Sequence, residues 1–208
     1  MEEDQKNNAV PPAEEKEGDE LAEESPPPEE PELQVGDVLP DITLKNEKGD
    51  DVRVKDLATP EQGVVFFLVP KADTPGCTTQ ACAFRDSYSE FTEVKYAVYC
   101  VSADTSTAQA RWQLKKELPF PLLSDPQRVF IKALGAFKPP KSTSRSHFVF
   151  EKGTGKLVEK KSSVKPAESS KLALEFIKRH HAEPAKVAPA ETEEVAALPG
   201  AGTVETAA

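Results

Sequence analysis

An unbroken apolar run, VVFFLV over Val64–Val69, lies between Gly63 and Pro70. β-branched and aromatic residues without polar interruption suit a strand buried on both faces. VKYAVYCVS over Val94–Ser102 and SHFVFE over Ser146–Glu151 repeat the pattern and predict two more interior strands. Between the first two, Ala81–Phe91 reads as a helix, with Cys82, Phe84, Tyr88 and Phe91 as packing positions. Asp104–Lys116, with Trp112 inside it, predicts another helix. Leu118–Leu123 (LPFPLL) is held extended by its prolines, and Asp125 stands where it can cap a short helix running through Leu134. Weak alternation over Ile42–Lys45 and Val52–Val54 predicts a hairpin turned at Gly49-Asp50. Gly153-Thr154-Gly155 predicts a second hairpin, between SHFVFE and KLVEKK. Pro166 opens a last helix, Ala167–Arg179, whose apolar residues are Leu172, Leu174, Phe176 and Ile177.

Strand, helix, strand, helix, strand hairpin and final helix describe one α/β domain, a central mixed sheet flanked by helices on both faces. The thioredoxin-like fold has this order of elements. In such a chain function is expected where the first buried strand hands over to its helix.

Charge changes the picture at the two ends. Residues 1–32 hold thirteen Asp or Glu against two Lys, with six prolines, for a local charge of −11. Residues 182–208 carry −4 amid Ala, Pro, Thr and Gly, so residues 33–181 are left with +5 of the total of −10. The acidity belongs to the ends. Neither end has enough apolar surface to offset the entropy of ordering it, so both are expected to be disordered tails around one domain at 33–181. No apolar run is long enough for a membrane span. The opening MEEDQKNN has neither the basic and apolar regions of a secretory signal nor the character of a transit peptide. The cytosol or nucleus is therefore expected, where permanent disulfides are rare and a close cysteine pair points to redox or metal chemistry.

That pair is in KADTPGCTTQACAFRD, Lys71–Asp86. Cys77 follows a buried strand and stands just inside a helix start. Unpartnered N–H groups and the positive end of the helix dipole stabilise a thiolate there. Pro75 suits the first helical turn, and Gly76 leaves the approach to the sulfur open. Thr74 can place its hydroxyl near that sulfur. These are the needs of an activated nucleophile. Cys82 lies five residues on. In a continuous helix the two Cα atoms are about 8.7 Å apart, beyond the roughly 7 Å limit for an unforced disulfide. A Cys77–Cys82 bond therefore requires the first turns of the helix to unwind. Zinc would need a second ligand pair, and His147, His180 and His181 do not form one with the right spacing. A thioredoxin-type dithiol is Cys-x-x-Cys, which this is not. Two inert buried cysteines leave the Pro-Gly-Cys after a strand without a reason. Cys100, in the alternating run YAVYCVS, is expected to be a buried free thiol, and Trp112 and Phe120 to be core.

The whole segment resembles the active site of the peroxiredoxin Q family, also called bacterioferritin comigratory protein. The family pattern Pro-x-x-x-Thr/Ser-x-x-Cys is matched by Pro70, Thr74 and Cys77, and its resolving cysteine by Cys82. VSAD (Val101–Asp104), LPFPLLSD (Leu118–Asp125) and SRSHFVF (Ser144–Phe150) continue the likeness over roughly residues 33–180. The acidic extensions resemble those of eukaryotic forms such as the fungal nuclear thiol peroxidase. The resemblance implies a thiol peroxidase for hydrogen peroxide and organic hydroperoxides, an antioxidant. Cys77 would be oxidised to a sulfenic acid, Thr74 would bind the peroxide, Pro70 would shield the pocket and Arg145 would stabilise charge. Cys82 would close a disulfide that thioredoxin or a similar dithiol reduces. No metal or organic cofactor is implied, and an intramolecular resolver points to a monomer. His147 departs from the family, where Thr is common. It is expected to be a packed or partly exposed strand residue, with modulation of Arg145 as the alternative.

A redox-sensing interaction protein built on the same cysteine pair is the rival reading. It needs only the two cysteines and leaves Pro70, Thr74 and Arg145 unexplained. KPPK (Lys138–Lys141) and EKKSSVK (Glu159–Lys165) are short basic runs without an aromatic platform, so nucleic-acid binding is not expected; a weak nuclear import signal is their other use.

Overall fold

VVFFLV forms an interior strand of a seven-stranded sheet in the computed structural model, which describes residues 32–182. The tails expected at 1–32 and 182–208 lie outside the described residues except for Glu32 and Ala182. In chain order the strands are β1 (Thr43–Asn46), β2 (Asp51–Arg53), β3 (Gly63–Leu68), β4 (Tyr96–Ser102), β5 (Leu122–Ser124), β6 (Phe137–Lys138), β7 (Ser142–Thr143), β8 (Ser146–Phe150) and β9 (Leu157–Ser162). The helices are α1 (Pro75–Asp86), α2 (Tyr88–Glu93), α3 (Ser106–Lys116), α4 (Val129–Ala133) and α5 (Ser169–Ala182). The sheet order is β2-β1-β5-β4-β3-β8-β9, with β6 and β7 forming a separate ribbon. β3 runs parallel to β4 and antiparallel to β8, so the sheet is mixed, as expected.

All six residues of β3 are buried because helices and loops cover both faces. Val65 and Phe67 point into one core, shared with Ala81 and Phe84 of α1, Phe91 of α2, Trp112 of α3 and Ile177 of α5. Val64, Phe66 and Leu68 point into the other, against Phe130 and Ile131 of α4 and the strand residue Leu44. Each fully buried Phe contributes about 1.5–3 kcal/mol of transfer free energy. Phe67 stacks on Phe84 with centroids 4.3 Å apart, and this contact holds the second half of α1 against the sheet. Gly63 is required for close packing, because a Cβ there would lie 2.3 Å from the Tyr96 ring. Both predicted hairpins are present, β1 with β2 and β8 with β9.

Two expectations change. Ala81–Phe91 is not one helix. α1 reaches back through the polar Thr78, Thr79 and Gln80 to Pro75, and Ser87 (φ −98°, ψ 7°) separates it from α2. The last helix starts at Ser169 rather than Ala167, after a turn, and runs on through His180 and His181. At the end of LPFPLL, Leu122 and Leu123, with Ser124, form β5, which bridges β1 and β4. Lys138, at the start of the KPPK run, pairs with Ser142 in the β6–β7 ribbon.

The N-cap position of α4 is Arg128, and Asp125 holds the start of the helix from three residues earlier. Its Oδ1 accepts from the Val129 N–H and its Oδ2 from the Ile131 N–H, both at 2.9 Å. Burial nonetheless pushes its carboxyl above the usual range, against the pull of those backbone donors.

Cys100 is a fully buried free cysteine on β4, and burial pushes its thiol well above the ordinary value of 9.0. In the unfolded chain the same thiol ionises first. The folded state therefore holds the extra proton, and stability falls as pH rises past 9.0. Cys100→Ala is expected to flatten the alkaline limb of a melting-temperature profile above pH 9, and an unchanged limb would contradict this.

Candidate active site

The β3–α1 junction brings the chemistry to the C-terminal end of an interior strand. Thr74 is the N-cap residue in extended conformation, Pro75 begins the first turn and Cys77 lies within it, 1% exposed. The Thr78 N–H donates to the Thr74 carbonyl at 2.8 Å, closing that turn. The loop before it is pinned from α3 and the segment ahead of it: the Ala72 N–H donates to Asp104 Oδ2 at 2.7 Å, and Lys115 pairs with Asp73 at 2.7 Å. A negative charge on Cys77 would sit at the positive end of the α1 dipole.

Arg145 is brought to this end by strand register. Leu68, the last residue of β3, pairs with Ser146, the first of β8, so the residue before β8 stands beside the start of α1. Arg145 Nη2 lies 3.5 Å from Cys77 Sγ, while Nη1 donates to the Gly76 carbonyl at 3.1 Å and to Gln80 Oε1 at 2.8 Å. Arg145 is therefore a fixed neighbour of the sulfur and not an ordinary surface charge. Gly76 serves a purpose other than open access. A Cβ on Gly76 would lie 3.1 Å from Arg145 Nη2, so the missing side chain makes room for the guanidinium.

The Thr74 hydroxyl donates to the Lys71 carbonyl at 3.0 Å, which leaves its oxygen free to accept. Pro70 stands two residues after the end of β3 and is exposed. Cys82 is part-buried on α1, and both cysteines are free thiols. α1 is continuous from Pro75 to Asp86, so the ideal separation of about 8.7 Å between their Cα atoms applies to the folded helix. The first turns of α1 are clasped mainly by polar groups. Trp112 Nε1 donates to Thr78 Oγ1 at 3.3 Å, and Gln80 Nε2 donates to Ser169 Oγ at 3.1 Å. The apolar anchors Ala81 and Phe84 lie further along the helix.

Sequence reasoning missed Gln80. Its signal was available: three residues after Cys77 on a helix is the same face. Ser169 gave no signal at all. His147 is completely buried, with Nδ1 3.1 Å from Ser169 Oγ and Nε2 3.5 Å from Glu159 Oε2. Among the described residues no group of three or more His, Cys, Asp or Glu is arranged to hold a metal ion. No described helix is long and apolar enough to cross a membrane.

A mixed sheet with a strand-to-helix cysteine and a facing arginine defines a thiol-chemistry member of the thioredoxin-like folds. Known proteins narrow this. The pattern of the AhpC/TSA family matches residues 35–159. Peroxiredoxin bcp1 of Schizosaccharomyces pombe is 47% identical over 146 residues, covering 70% of this chain and 74% of its own. Peroxiredoxin Bcp of Bacillus subtilis is 31% identical over 152 residues, covering 70% of this chain and 96% of its own. Among solved structures, Mycobacterium tuberculosis BcpB superposes with a TM-score of 0.64 at 31% identity, over 71% of this chain and 97% of that one. A serine variant of Xylella fastidiosa PrxQ superposes at 0.67 with 24% identity, over 73% and 99%, and so speaks for the fold. The chain belongs to the AhpC/TSA family, in its Bcp/peroxiredoxin Q group. It is a thiol peroxidase, an oxidoreductase that reduces peroxides with electrons from a thiol reductant.

Proposed function

We propose that Cys77 is the peroxidatic thiolate and Cys82 the resolving thiol of a one-chain cycle. The Cys77 sulfur attacks one peroxide oxygen and the O–O bond breaks. The sulfur keeps the attacked oxygen as a sulfenic acid, and the other oxygen leaves as water or an alcohol once protonated. Arg145, 3.5 Å from the sulfur, stabilises the thiolate and the charge on the leaving oxygen. Thr74 binds the incoming peroxide, and Pro70 limits access at the mouth. The Cys82 thiol then attacks the sulfenic sulfur, releasing water and forming the Cys77–Cys82 disulfide. A dithiol, thioredoxin in this reading, reduces it by exchange and is itself oxidised.

The observation that carries this reading is the Arg145 guanidinium held on the Cys77 sulfur by Gly76 and Gln80. The proposed contacts grip the two peroxide oxygens and not a carbon substituent, so hydrogen peroxide and organic hydroperoxides are both proposed substrates. A solved Xanthomonas campestris bacterioferritin comigratory protein is described with alkyl peroxide reduction activity, and shares the fold. Resolution within one chain needs no second subunit, and a monomer is proposed. The cytosol or nucleus is the setting in which such a disulfide is returned to thiols.

Peptide mapping tests the pairing. Cys77 and Cys82 share one tryptic segment, residues 72–85, and Cys100 lies in another. After one equivalent of peroxide that segment is expected to lose two hydrogens while Cys100 stays alkylatable on unfolding. A disulfide that contains Cys100, or one that joins two chains, would overturn the pairing.

A further inference from the structure

The buried histidine that departs from the family pattern is not isolated. Arg145 Nη1, Gln80, Ser169, His147 and Glu159 form one line of polar contacts that runs from the active site across α1, α5, β8 and β9. Its steps are 2.8 Å from Arg145 to Gln80, 3.1 Å from Gln80 to Ser169, 3.1 Å from Ser169 to His147 and 3.5 Å from His147 to Glu159. Gln80, Ser169 and His147 have no exposed surface.

The direction of every hydrogen bond follows from its first member. A guanidinium only donates, so the Gln80 carboxamide turns its oxygen to Arg145. Its Nε2 then faces Ser169 Oγ, which accepts. The Ser169 hydrogen is thereby free for His147 Nδ1. That leaves the proton of a neutral imidazole on Nε2, where it faces the Glu159 carboxylate. The three hydrogen bonds point one way, away from the cation, an arrangement in which each polarises the next, and the line ends where His147 Nε2 faces Glu159 at 3.5 Å without a hydrogen bond. Reversing the Gln80 amide would set N–H against N–H at Arg145.

The charged groups around His147 are few. Glu159 of β9 faces Nε2, and Arg145 stands two residues back. Lys161, its register partner on β9, is exposed to solvent. Its β3 partner is Phe67, and α5 presents Ser169. We infer that His147 and Ser169 are positioning residues for the peroxide reaction, locking Gln80 so that Arg145 is held on Cys77. This rests on the proposed roles of Cys77 and Arg145.

Stopped-flow fluorescence tests this. The single tryptophan, Trp112, is bonded to Thr78 of α1 and serves as the reporter of oxidation by hydrogen peroxide. Ser169→Ala and His147→Val are each expected to lower the second-order rate constant roughly three- to tenfold, the worth of one buried hydrogen bond. The double variant is expected to lose no more than either single one, because both cut the same line. His147→Asn keeps an acceptor for Ser169 without a titrating ring. It is expected to restore the rate. Thermal unfolding checks that each variant is folded. Wild-type rates in folded Ser169→Ala and His147→Val would overturn the inference, as would additive losses or no rescue by His147→Asn. Cys77→Ser is the control. Peroxide consumption by that variant would overturn the role of Cys77 itself, and the inference with it.

Discussion

Cys77→Ser is expected to abolish peroxide reduction, with NADPH oxidation at the no-protein background in an assay coupled through thioredoxin and its reductase. The oxygen of serine occupies nearly the same volume as the sulfur it replaces, in a site that is 1% exposed, so the fold is expected to survive. What is lost is the nucleophile. A thiol yields a thiolate at neutral pH and a serine hydroxyl does not, even with Arg145 within contact and the start of α1 beneath it. Cys82 does not compensate. It lies further along α1, away from the first turn and from the Arg145 guanidinium. Normal turnover in a folded Cys77→Ser protein would contradict the assignment outright.

Cys82→Ser is expected to stop the cycle one step later. Cys82 is not among the residues bonded to Arg145, so the first attack on peroxide proceeds. The sulfenic acid then has no partner on its own helix. One sulfenic acid per chain is expected to accumulate and to be captured by a dimedone probe. Coupled turnover falls to the rate at which an outside thiol attacks Cys77 directly. Excess peroxide drives the trapped species on to the sulfinic acid. Full thioredoxin-coupled turnover in this variant would assign resolution to another thiol.

The three interior strands, both hairpins and Asp125 at the start of α4 were legible because local pattern determines them. VVFFLV has one reading as a strand, and Gly49 and Gly153 take the positive φ that their turns require. The extent of α1 was harder. Thr78, Thr79 and Gln80 look like loop residues in a list of propensities, yet all three belong to the helix, where Thr78 meets Trp112 and Gln80 meets Arg145 and Ser169. The site was half legible. Cys77 at a helix start follows from the chain itself. Arg145 does not, because its place 68 residues away depends on the register between β3 and β8. Without a resemblance it is one basic residue among several. Ser169 and His147 lie deeper in that difficulty, since only the packing of α5 on α1 and β8 brings them together.

The central claim is that the fold of α1 is the switch between the two halves of the cycle. Helical, it keeps Cys77 and Cys82 about 8.7 Å apart at Cα, so peroxide meets a free thiolate. The disulfide forms only after the first turns let go. That step breaks the contacts of Arg145 with Gly76 and Gln80, of Trp112 with Thr78 and of Gln80 with Ser169, each worth about 1 kcal/mol. Phe84 on Phe67 keeps the far half of α1 seated. Such a local opening is within reach without unfolding the domain. Amide hydrogen exchange over residues 75–86, in the reduced protein and in the Cys77–Cys82 disulfide form, tests this most directly. Protection through the first turns in the reduced state, and its loss there on oxidation, is the predicted result; equal protection in both redox states would contradict it.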